Sequence, residues 1–189
     1  MVKNNIRKSL LEQGLTLSEK FILSSNNQIQ EKFLEYLSTV EFKKILLYSP
    51  YKNEIKLDLV LKKLNEMQKE IFIPKVFPNN ELRFNLLESC NQLIKNKYNI
   101  LESQSNLFVK ANMLNVLVVP FLGIDVNGKR LGYGGGYYDR ALGNIFSENE
   151  RPAIIGLGYE HQILKENFGE SHDLKYHKVF TETNIHNFS

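Results

Sequence analysis

The sequence predicts an α/β fold built on an open, mostly parallel sheet, and three observations lead to this prediction. Short apolar runs rich in β-branched residues, such as 116–120, are typical of strands buried on both faces. Segments with helical periodicity alternate with these runs, which favours a parallel sheet with helices on both faces. A length of 189 residues with 42% hydrophobic residues suits one compact core. We therefore expect residues 1–189 to form a single domain, a Rossmann-like three-layer sandwich.

Two helices are predicted before the first strand, at residues 3–13 and 16–38. Gly14-Leu-Thr16 separates them, and Thr16-Leu-Ser18-Glu19 offers a cap for the second helix. Apolar residues at helical spacing give the second helix one buried stripe: Ile22, Ile29, Phe33 and Leu37. We expect both helices to pack across the sheet.

The next segment predicts a strand–helix–strand unit. Residues 45–49 form its first strand, 55–67 its helix and 71–76 its second strand. The helix would direct four aliphatic residues towards the sheet: Leu57, Val60, Leu61 and Leu64.

The second half of the chain completes the sheet. We expect strands at 82–86, 116–120, 153–159 and 178–181, a helix that begins near Gly136, and an irregular polar segment at 90–112. The run at 116–120 reads as the central strand. Ligands of such sheets bind at the carboxyl ends of the strands.

A glycine-rich loop follows the central strand. The glycines at 132, 134, 135 and 136 expose backbone N–H groups that can hold an anion, most often phosphate. Residues 123–129 spell G-x-x-x-x-G-K, but Arg130 stands where a P-loop needs Ser or Thr, so this is not a Walker A motif. The dinucleotide fingerprint also fails, because Tyr137 occupies its third glycine position.

The pattern Asp-x-x-Gly-x-Arg-Leu-Gly-x-Gly-x-Gly-Tyr-Tyr-Asp at residues 125–139 resembles the signature of the 5-formyltetrahydrofolate cyclo-ligase family. Further landmarks follow in family order: Lys3-x-x-x-Arg7, Ile45-Leu-Leu-Tyr-Ser49 leading to Glu54, Ile71-Phe-Ile-Pro74-Lys75, and His172-Asp173. Two residues depart from the family pattern: Phe121 stands where some relatives carry Gly, and Ile124 where Phe is more usual. The resemblance covers nearly the whole chain.

The resemblance implies an ATP-dependent ligase of folate one-carbon metabolism. In that reaction the formyl oxygen of 5-formyltetrahydrofolate is phosphorylated, N10 closes onto the activated carbon, and phosphate leaves to give 5,10-methenyltetrahydrofolate. Phosphoryl transfer of this kind needs positioning, cations and magnesium more than a protein nucleophile. The resemblance thus implies ATP as co-substrate and Mg²⁺ as metal.

The resemblance also implies roles for individual residues. Arg130 and Tyr138 would be catalytic, and Asp139 and Asp173 would bind the metal. The folate would contact Ser49, Tyr51, Glu54 and Tyr138. The ATP would contact Lys3, Arg7, Lys75, Arg130, Leu131, Gly132, Tyr133, Gly134, Gly135, Gly136, Tyr137 and Tyr138.

Several of these residues also have ordinary structural interpretations. Asp139 can counter the dipole of the helix that it begins, and Lys3 and Arg7, four residues apart, can lie on a solvated helix face. Lys75 fits an exposed lysine, and Asp173 a turn residue. Tyr51 fits a core or surface tyrosine equally well. The four histidines, His161, His172, His177 and His186, show no metal-binding spacing.

Composition narrows the competing functions. The net charge of +3 is spread along the chain without a cationic tract, which disfavours a nucleic-acid-binding module. No apolar run approaches the ~20 residues that span a bilayer, and the single cysteine, Cys90, fits a reducing cytoplasm. We expect a cytoplasmic protein, a monomer, with small-molecule partners and no membrane partner. An α/β protein that binds a nucleotide or sugar phosphate without cyclo-ligase activity remains the alternative, against which Glu54 argues.

Overall fold

The structure, a computed structural model, describes residues 2–89, 93–143, 145 and 152–188. Its helices are α1 (Val2–Leu15), α2 (Glu19–Ser38), α3 (Asp58–Glu66) and α4 (Tyr137–Leu142). Its strands are β1 (Lys44–Leu46), β2 (Glu70–Phe77), β3 (Glu81–Leu86), β4 (Leu93–Lys95), β5 (Leu101–Ser103), β6 (Phe108–Val109), β7 (Val116–Val118), β8 (Gly123–Ile124), β9 (Arg130–Leu131), β10 (Ala153–Leu157), β11 (Lys178–Phe180) and β12 (Ile185–Asn187). Within this described part, no helix has the length and apolar character needed to cross a membrane.

The main sheet has the strand order β12-β11-β10-β7-β1-β2-β3-β6. Its central strands, from β11 to β2, are all parallel, and β12, β3 and β6 are antiparallel additions at the edges. The predicted fold class is confirmed. Counted along the chain, the parallel strands lie in the order 2-1-3-4-5, so the direction of winding reverses between β1 and β7. Sheets of this order bind ligands at that reversal.

Alternate residues of the central strands enter two separate cores. In β1, Ile45 packs in one cluster with residues of α2 and α3, whereas Leu46 packs in a second cluster that includes Leu142 of α4. The same alternation occurs in β7, where Leu117 faces α4. Because the side-chain period of a strand is two, a run that is apolar throughout must be covered on both faces.

The first helix departs from the prediction that it packs across the sheet. Leu10, the buried residue of α1, joins Leu122, Leu131 and Phe168 in a third cluster instead. Its apolar stripe is too narrow to cover a sheet, and it suffices for the small β8–β9 hairpin. The helix α2 does pack on the sheet, and Ser18 caps it by accepting a hydrogen bond from the Phe21 N–H.

The segment predicted as irregular at 90–112 contains the β4–β5 hairpin and the edge strand β6, so that prediction is wrong for its described residues. Cys90 lies outside the described residues. The β8–β9 hairpin and β12 were not predicted either. The helix α3 begins at Asp58, three residues later than expected. Ile55 and Leu57 are buried in the segment before it, and the backbone of Leu57, with φ −123° and ψ 22°, is not helical.

Candidate active site

A cavity of about 960 Å³ opens at the carboxyl ends of β1, β2 and β7. Ser49 follows β1, Val76 lies in the last part of β2, and Pro120 follows β7, and all three line the cavity. The cavity therefore lies at the reversal of the sheet's winding. Its predicted site residues are Lys3, Arg7, Ser49, Tyr51, Glu54, Arg130, Leu131, Gly132, Tyr133, Gly134, Gly135, Gly136, Tyr137, Tyr138, Asp139 and Asp173.

Lys75 is the predicted site residue that the structure does not bring to the cavity. Its neighbours on β2, Pro74 and Val76, line the cavity, so the alternation of the strand turns Lys75 away. The Lys75 ammonium lies 5.7 Å from the ring centroid of Phe77.

Arg130 lines the cavity and is only 6% exposed. Its Nε donates to the carbonyl of Pro120 (2.7 Å), and its Nη1 pairs with Oδ2 of Asp139 (3.0 Å). The guanidinium also lies 5.3 Å from the ring centroid of Tyr138. A Cβ at position 132 would approach Nη1 to 2.5 Å, so the glycine there makes room for the guanidinium. Arg130 is held in one orientation.

Asp125 builds the hairpin that carries Arg130. It is fully buried, and its Oδ1 accepts from the N–H groups of Asn127 (2.9 Å) and Lys129 (2.8 Å). Its Oδ2 accepts from Gly169 N–H (3.0 Å). Gly128 completes the turn with a φ of 79°, a conformation that favours glycine. The first half of the loop signature is thus structural.

The glycine loop runs from β9 to α4. Gly134 and Gly136 have φ values of 104° and 63°, so both need glycine, and α4 begins after Gly136 as predicted. Arg7 of α1 donates from Nε to the carbonyl of Gly132 (2.9 Å). This bond places a second guanidinium beside the loop.

Two carboxylates, those of Glu170 and Asp173, pair with Lys3 at the end of the cavity next to α1. Lys3 Nζ lies 2.7 Å from Oδ2 of Asp173 and 3.0 Å from Oε1 of Glu170. Burial is the largest single effect on Asp173 and opposes its ionisation, but the hydrogen bonds from Lys3 and from the Glu170 N–H, together with nearby positive charge, outweigh it and lower the pKa of this carboxyl. Asp139 accepts a long hydrogen bond from the Leu174 N–H (3.4 Å), which places it next to Asp173. This end of the cavity therefore holds charges of both signs, with the Lys3 ammonium paired to the carboxylates of Glu170 and Asp173.

Glu54 is a further carboxyl group of the cavity, and the charge of Arg130 acts on it. Its Oε2 accepts from the Tyr51 N–H at 2.8 Å. Burial raises the pKa of Glu54 to about 7, against the opposing effects of that hydrogen bond and of Arg130. Tyr51 and Tyr133 meet edge to face at 5.7 Å, and burial raises the pKa of Tyr138 well above its usual value. This side of the cavity presents one carboxyl group among aromatic rings.

The β4–β5 hairpin adds cavity residues that the sequence did not predict: Asn96, Tyr98, Ile100 and Glu102. The hydroxyl of Tyr98 lies 3.3 Å from that of Tyr137, which donates to Oδ1 of Asn80 (3.1 Å). The sequence could have indicated a turn here, because asparagine is a turn residue and Asn99 adopts a φ of 63°, which asparagine tolerates.

Metal ligands are sparse around the cavity. Among residues 2–89, 93–143, 145 and 152–188, no group of three or more His, Cys, Asp or Glu side chains is arranged to hold an ion. The two adjacent carboxylates of Asp139 and Asp173 nevertheless fit Mg²⁺, which uses one or two protein carboxylates together with substrate phosphates and water.

Comparisons with known proteins agree on one family. The model of the 5-formyltetrahydrofolate cyclo-ligase family matches residues 1–182. The 5-formyltetrahydrofolate cyclo-ligase of Mycoplasma pneumoniae is 28% identical over 164 residues, which cover 86% of this chain and 88% of that protein. The mouse 5-formyltetrahydrofolate cyclo-ligase is 25% identical over 189 residues, with coverages of 95% and 93%. The NMR structure of the 5,10-methenyltetrahydrofolate synthetase of Aquifex aeolicus has a TM-score of 0.84 at 26% identity and covers 99% of this chain and 93% of that one.

Proposed function

Because the chain belongs to the 5-formyltetrahydrofolate cyclo-ligase family, we propose that it converts 5-formyltetrahydrofolate to 5,10-methenyltetrahydrofolate and releases ADP and phosphate from ATP. The protein is an enzyme, an ATP-dependent ligase. The observation that carries the proposal is the fixed guanidinium of Arg130, placed between the glycine loop and Glu54 in one cavity.

The chemistry requires the formyl group to be activated, because an amide carbon is a poor electrophile. The formyl oxygen attacks the γ-phosphorus of ATP, and ADP leaves. N10 then attacks the formyl carbon and loses its proton, and the carbon–oxygen bond breaks to release phosphate. Arg130 stabilises the charge on the transferred phosphoryl group because its donors are oriented before the substrates bind.

The phosphate chain of ATP binds along the glycine loop. The backbone N–H groups of residues 132–136 hold phosphate oxygens, and Arg7 and Lys3 supply positive charge from α1. Lys3 exchanges its partner Asp173 for phosphate oxygens when ATP binds. Lys75 lies outside the cavity lining, so we assign it no ATP contact.

Asp139 and Asp173 would hold Mg²⁺ together with the ATP phosphates. A bound Mg²⁺ neutralises phosphate charge and so favours attack at phosphorus. The carboxylate of Asp139 also pairs with Arg130, so it orients this guanidinium towards the same phosphates.

The folate binds on the side of Glu54. The carboxylate of Glu54 accepts hydrogen bonds from the pterin N–H donors, and the rings of Tyr51 and Tyr138 flank the pterin. Ser49 lies at the end of β1 and contributes to this wall, where it donates to the carbonyl of Leu101 (2.6 Å). We also propose that residues 1–189 act as one domain and as a monomer, in the cytoplasm.

One assay tests the proposed function. The absorbance of 5,10-methenyltetrahydrofolate should appear only when 5-formyltetrahydrofolate, ATP and a divalent cation are all present. Product without ATP would contradict the proposal. Binding of both substrates without turnover would favour the alternative, a nucleotide- or sugar-phosphate-binding protein without cyclo-ligase activity.

A further inference from the structure

Glu102 is a buried carboxylate on the wall of the cavity. It is 6% exposed and lies on β5 of the hairpin that the sequence did not predict. Its Oε1 accepts from the Val76 N–H at 2.9 Å and from Nδ2 of Asn96 at 2.7 Å. Asn96 is fixed in turn, because its Oδ1 accepts from the N–H groups of Tyr98 (2.8 Å) and Ile100 (3.1 Å). The carboxylate is thus held rigidly.

The other buried charged side chains of the described residues all have their charge compensated. Arg130 pairs with Asp139, Asp173 pairs with Lys3, and Asp125 accepts three backbone N–H groups. Like Asp125, Glu102 has no cation partner among the described residues, but both of its described hydrogen bonds end on Oε1. In the part of the chain that the structure describes, Oε2 accepts no hydrogen bond and is not fully buried, so it can accept one from a ligand in the cavity.

The surroundings of Glu102 select the kind of ligand. Pro74, Val76, Leu82 and Ile100 line the cavity near Glu102 and give it apolar walls. The described cations of the lining, Lys3, Arg7, Arg130 and Arg140, contact the glycine loop, Asp139 or Asp173 instead. A negative acceptor between apolar walls suits a flat heterocycle that carries N–H donors and repels phosphate or carboxylate groups.

We propose that Glu102 is a specificity-determining residue that accepts hydrogen bonds from the aminopyrimidine edge of the pterin, its 2-amino group and N3–H. This inference rests on the proposed function and assigns a second carboxylate to folate recognition.

The geometry of the substrate supports this assignment. The formyl group on N5 must reach the phosphate next to Arg130. Glu54 lies near Arg130, whose charge acts to lower the pKa of the Glu54 carboxyl. The aminopyrimidine edge is the end of the pterin remote from N5, so it points away from Arg130 and towards the apolar walls around Glu102. Glu102 holds that edge, which leaves the N8–H of the nearer ring for Glu54.

The substitution Glu102→Gln tests the proposal by calorimetric titration of each ligand alone. It keeps an oxygen for Val76 and Asn96 but removes the charged acceptor, so affinity for 5-formyltetrahydrofolate should fall about ten- to a hundredfold. Affinity for ATP should change less than about twofold. The matched control is Glu88→Gln, an exposed residue bonded to Ser105 outside the cavity lining, which should leave both affinities unchanged. A variant that loses ATP affinity and keeps folate affinity would assign Glu102 to the adenosine and overturn the proposal.

An analogue of 5-formyltetrahydrofolate with a 2-methyl group in place of the 2-amino group separates recognition from a structural role. The unmodified protein should bind the analogue at least about tenfold more weakly than the substrate, and Glu102→Gln should bind the two alike. A variant that weakens both ligands equally and keeps the discrimination overturns the proposal. If Glu102→Gln does not fold, equal binding of the two ligands to the unmodified protein overturns it instead. Absence of turnover alongside tight folate binding would contradict only the proposed function.

Discussion

The guanidinium of Arg130 is fixed by a carbonyl, a carboxylate and an aromatic ring before any substrate is bound. A lysine at this position would keep the charge but lose the planar fork that reaches Pro120 and Asp139 together. Catalysis of phosphoryl transfer depends on charge that needs no reorganisation during the reaction. The contacts of Arg130 therefore keep its positive charge in one position.

Glu54 separates folate recognition from ATP recognition. The substitution Glu54→Gln keeps the size of the side chain but places an NH₂ group where an acceptor is needed. We expect a loss of about 1.5–3 kcal/mol, or ten- to a hundredfold in folate affinity, with ATP affinity nearly unchanged. Calorimetry of both ligands measures it, with exposed Glu66→Gln as control. A variant that loses only ATP affinity would place Glu54 in the nucleotide half of the cavity.

Glu54 should also give the ligand-free protein a characteristic pH dependence. Burial raises the pKa of its carboxyl from 4.5 to about 7, so the folded state binds a proton that the unfolded state releases across this window. The stability contributed by this group is complete below pH 4.5 and is lost as the pH rises through about 7. Glutamine does not titrate, so Glu54→Gln does not lose this stability as the pH rises. Its thermal midpoint should therefore exceed that of the unmodified protein at about pH 8, and the difference should shrink towards about pH 5. A difference independent of pH would contradict this expectation.

Asp139 should matter most when magnesium is scarce. Asp139→Asn retains an oxygen for Arg130 but removes a hard anionic ligand, so turnover at limiting Mg²⁺ should fall far more than folate affinity. Steady-state rates across a magnesium titration measure this, with exposed Asp58→Asn as the control. Equal activity of Asp139→Asn and the unmodified protein at limiting magnesium would count against the assignment.

Single residues were predictable where a local pattern marks them. The loop signature identifies Arg130 and Asp139 directly, and the family landmarks identify Glu54, all of which line the cavity. Glu102 and Asn96 were missed because their importance comes from tertiary burial. Both lie in a polar segment whose sequence looks solvated, and only packing against β2 buries the carboxylate.

Among the elements, the β8–β9 hairpin connects the sheet to the phosphate loop. Each of its strands has only two residues, so no periodicity marks them, and the hairpin depends on Asp125 and Gly128 instead. The long apolar runs behave differently. The runs at β1, β7 and β10 are strands as predicted because burial on both faces leaves a continuous apolar signal. The edge strand β12 carries no such signal, since two of its three residues are exposed.

Gly128 gives a direct test of the hairpin. The substitution Gly128→Ala would force a side chain into a φ of 79° and place its Cβ 2.5 Å from Cγ of Phe188. We expect the free energy of unfolding to fall by about 1–3 kcal/mol. Because the hairpin positions Arg130, ATP affinity should fall as well. Chemical denaturation and calorimetry measure the two effects.

The matched control is Gly143→Ala at the end of α4. Gly143 has a φ of −57°, and an added Cβ would meet nothing within 4 Å. Its free energy of unfolding should stay within about 0.5 kcal/mol of the unmodified value. Equal effects at positions 128 and 143 would show that the turn does not require glycine.

At the scale of the whole molecule, the site gathers distant parts of the chain. Residues of α1, the ends of β1 and β7, the β4–β5 hairpin and the turn at Asp173 all line one cavity. The sheet order predicts this convergence once the strands are known, because the winding reverses between β1 and β7. The placement of α1 was not predictable, since its narrow apolar stripe packs on the β8–β9 hairpin, whose two-residue strands have no periodicity in the sequence.

The single-domain proposal predicts one cooperative unfolding transition. The strands β1, β7 and β10 contribute to both cores, so one core should not unfold without the other. Substrate at about 100 times its dissociation constant should add about 2.7 kcal/mol and shift the whole transition upwards by roughly 5–10 °C. Scanning calorimetry tests this. Two resolved transitions, of which substrate shifts only one, would indicate two domains.

The distribution of tyrosines gives the protein a built-in optical reporter. The chain has nine tyrosines and no tryptophan. Five of the nine line the cavity: Tyr51, Tyr98, Tyr133, Tyr137 and Tyr138. When light is used that phenylalanine does not absorb, ultraviolet emission therefore comes from tyrosine, and more than half of the tyrosine rings line the cavity. Occupation of the cavity should change the intrinsic fluorescence, so ligand binding can be followed without a label.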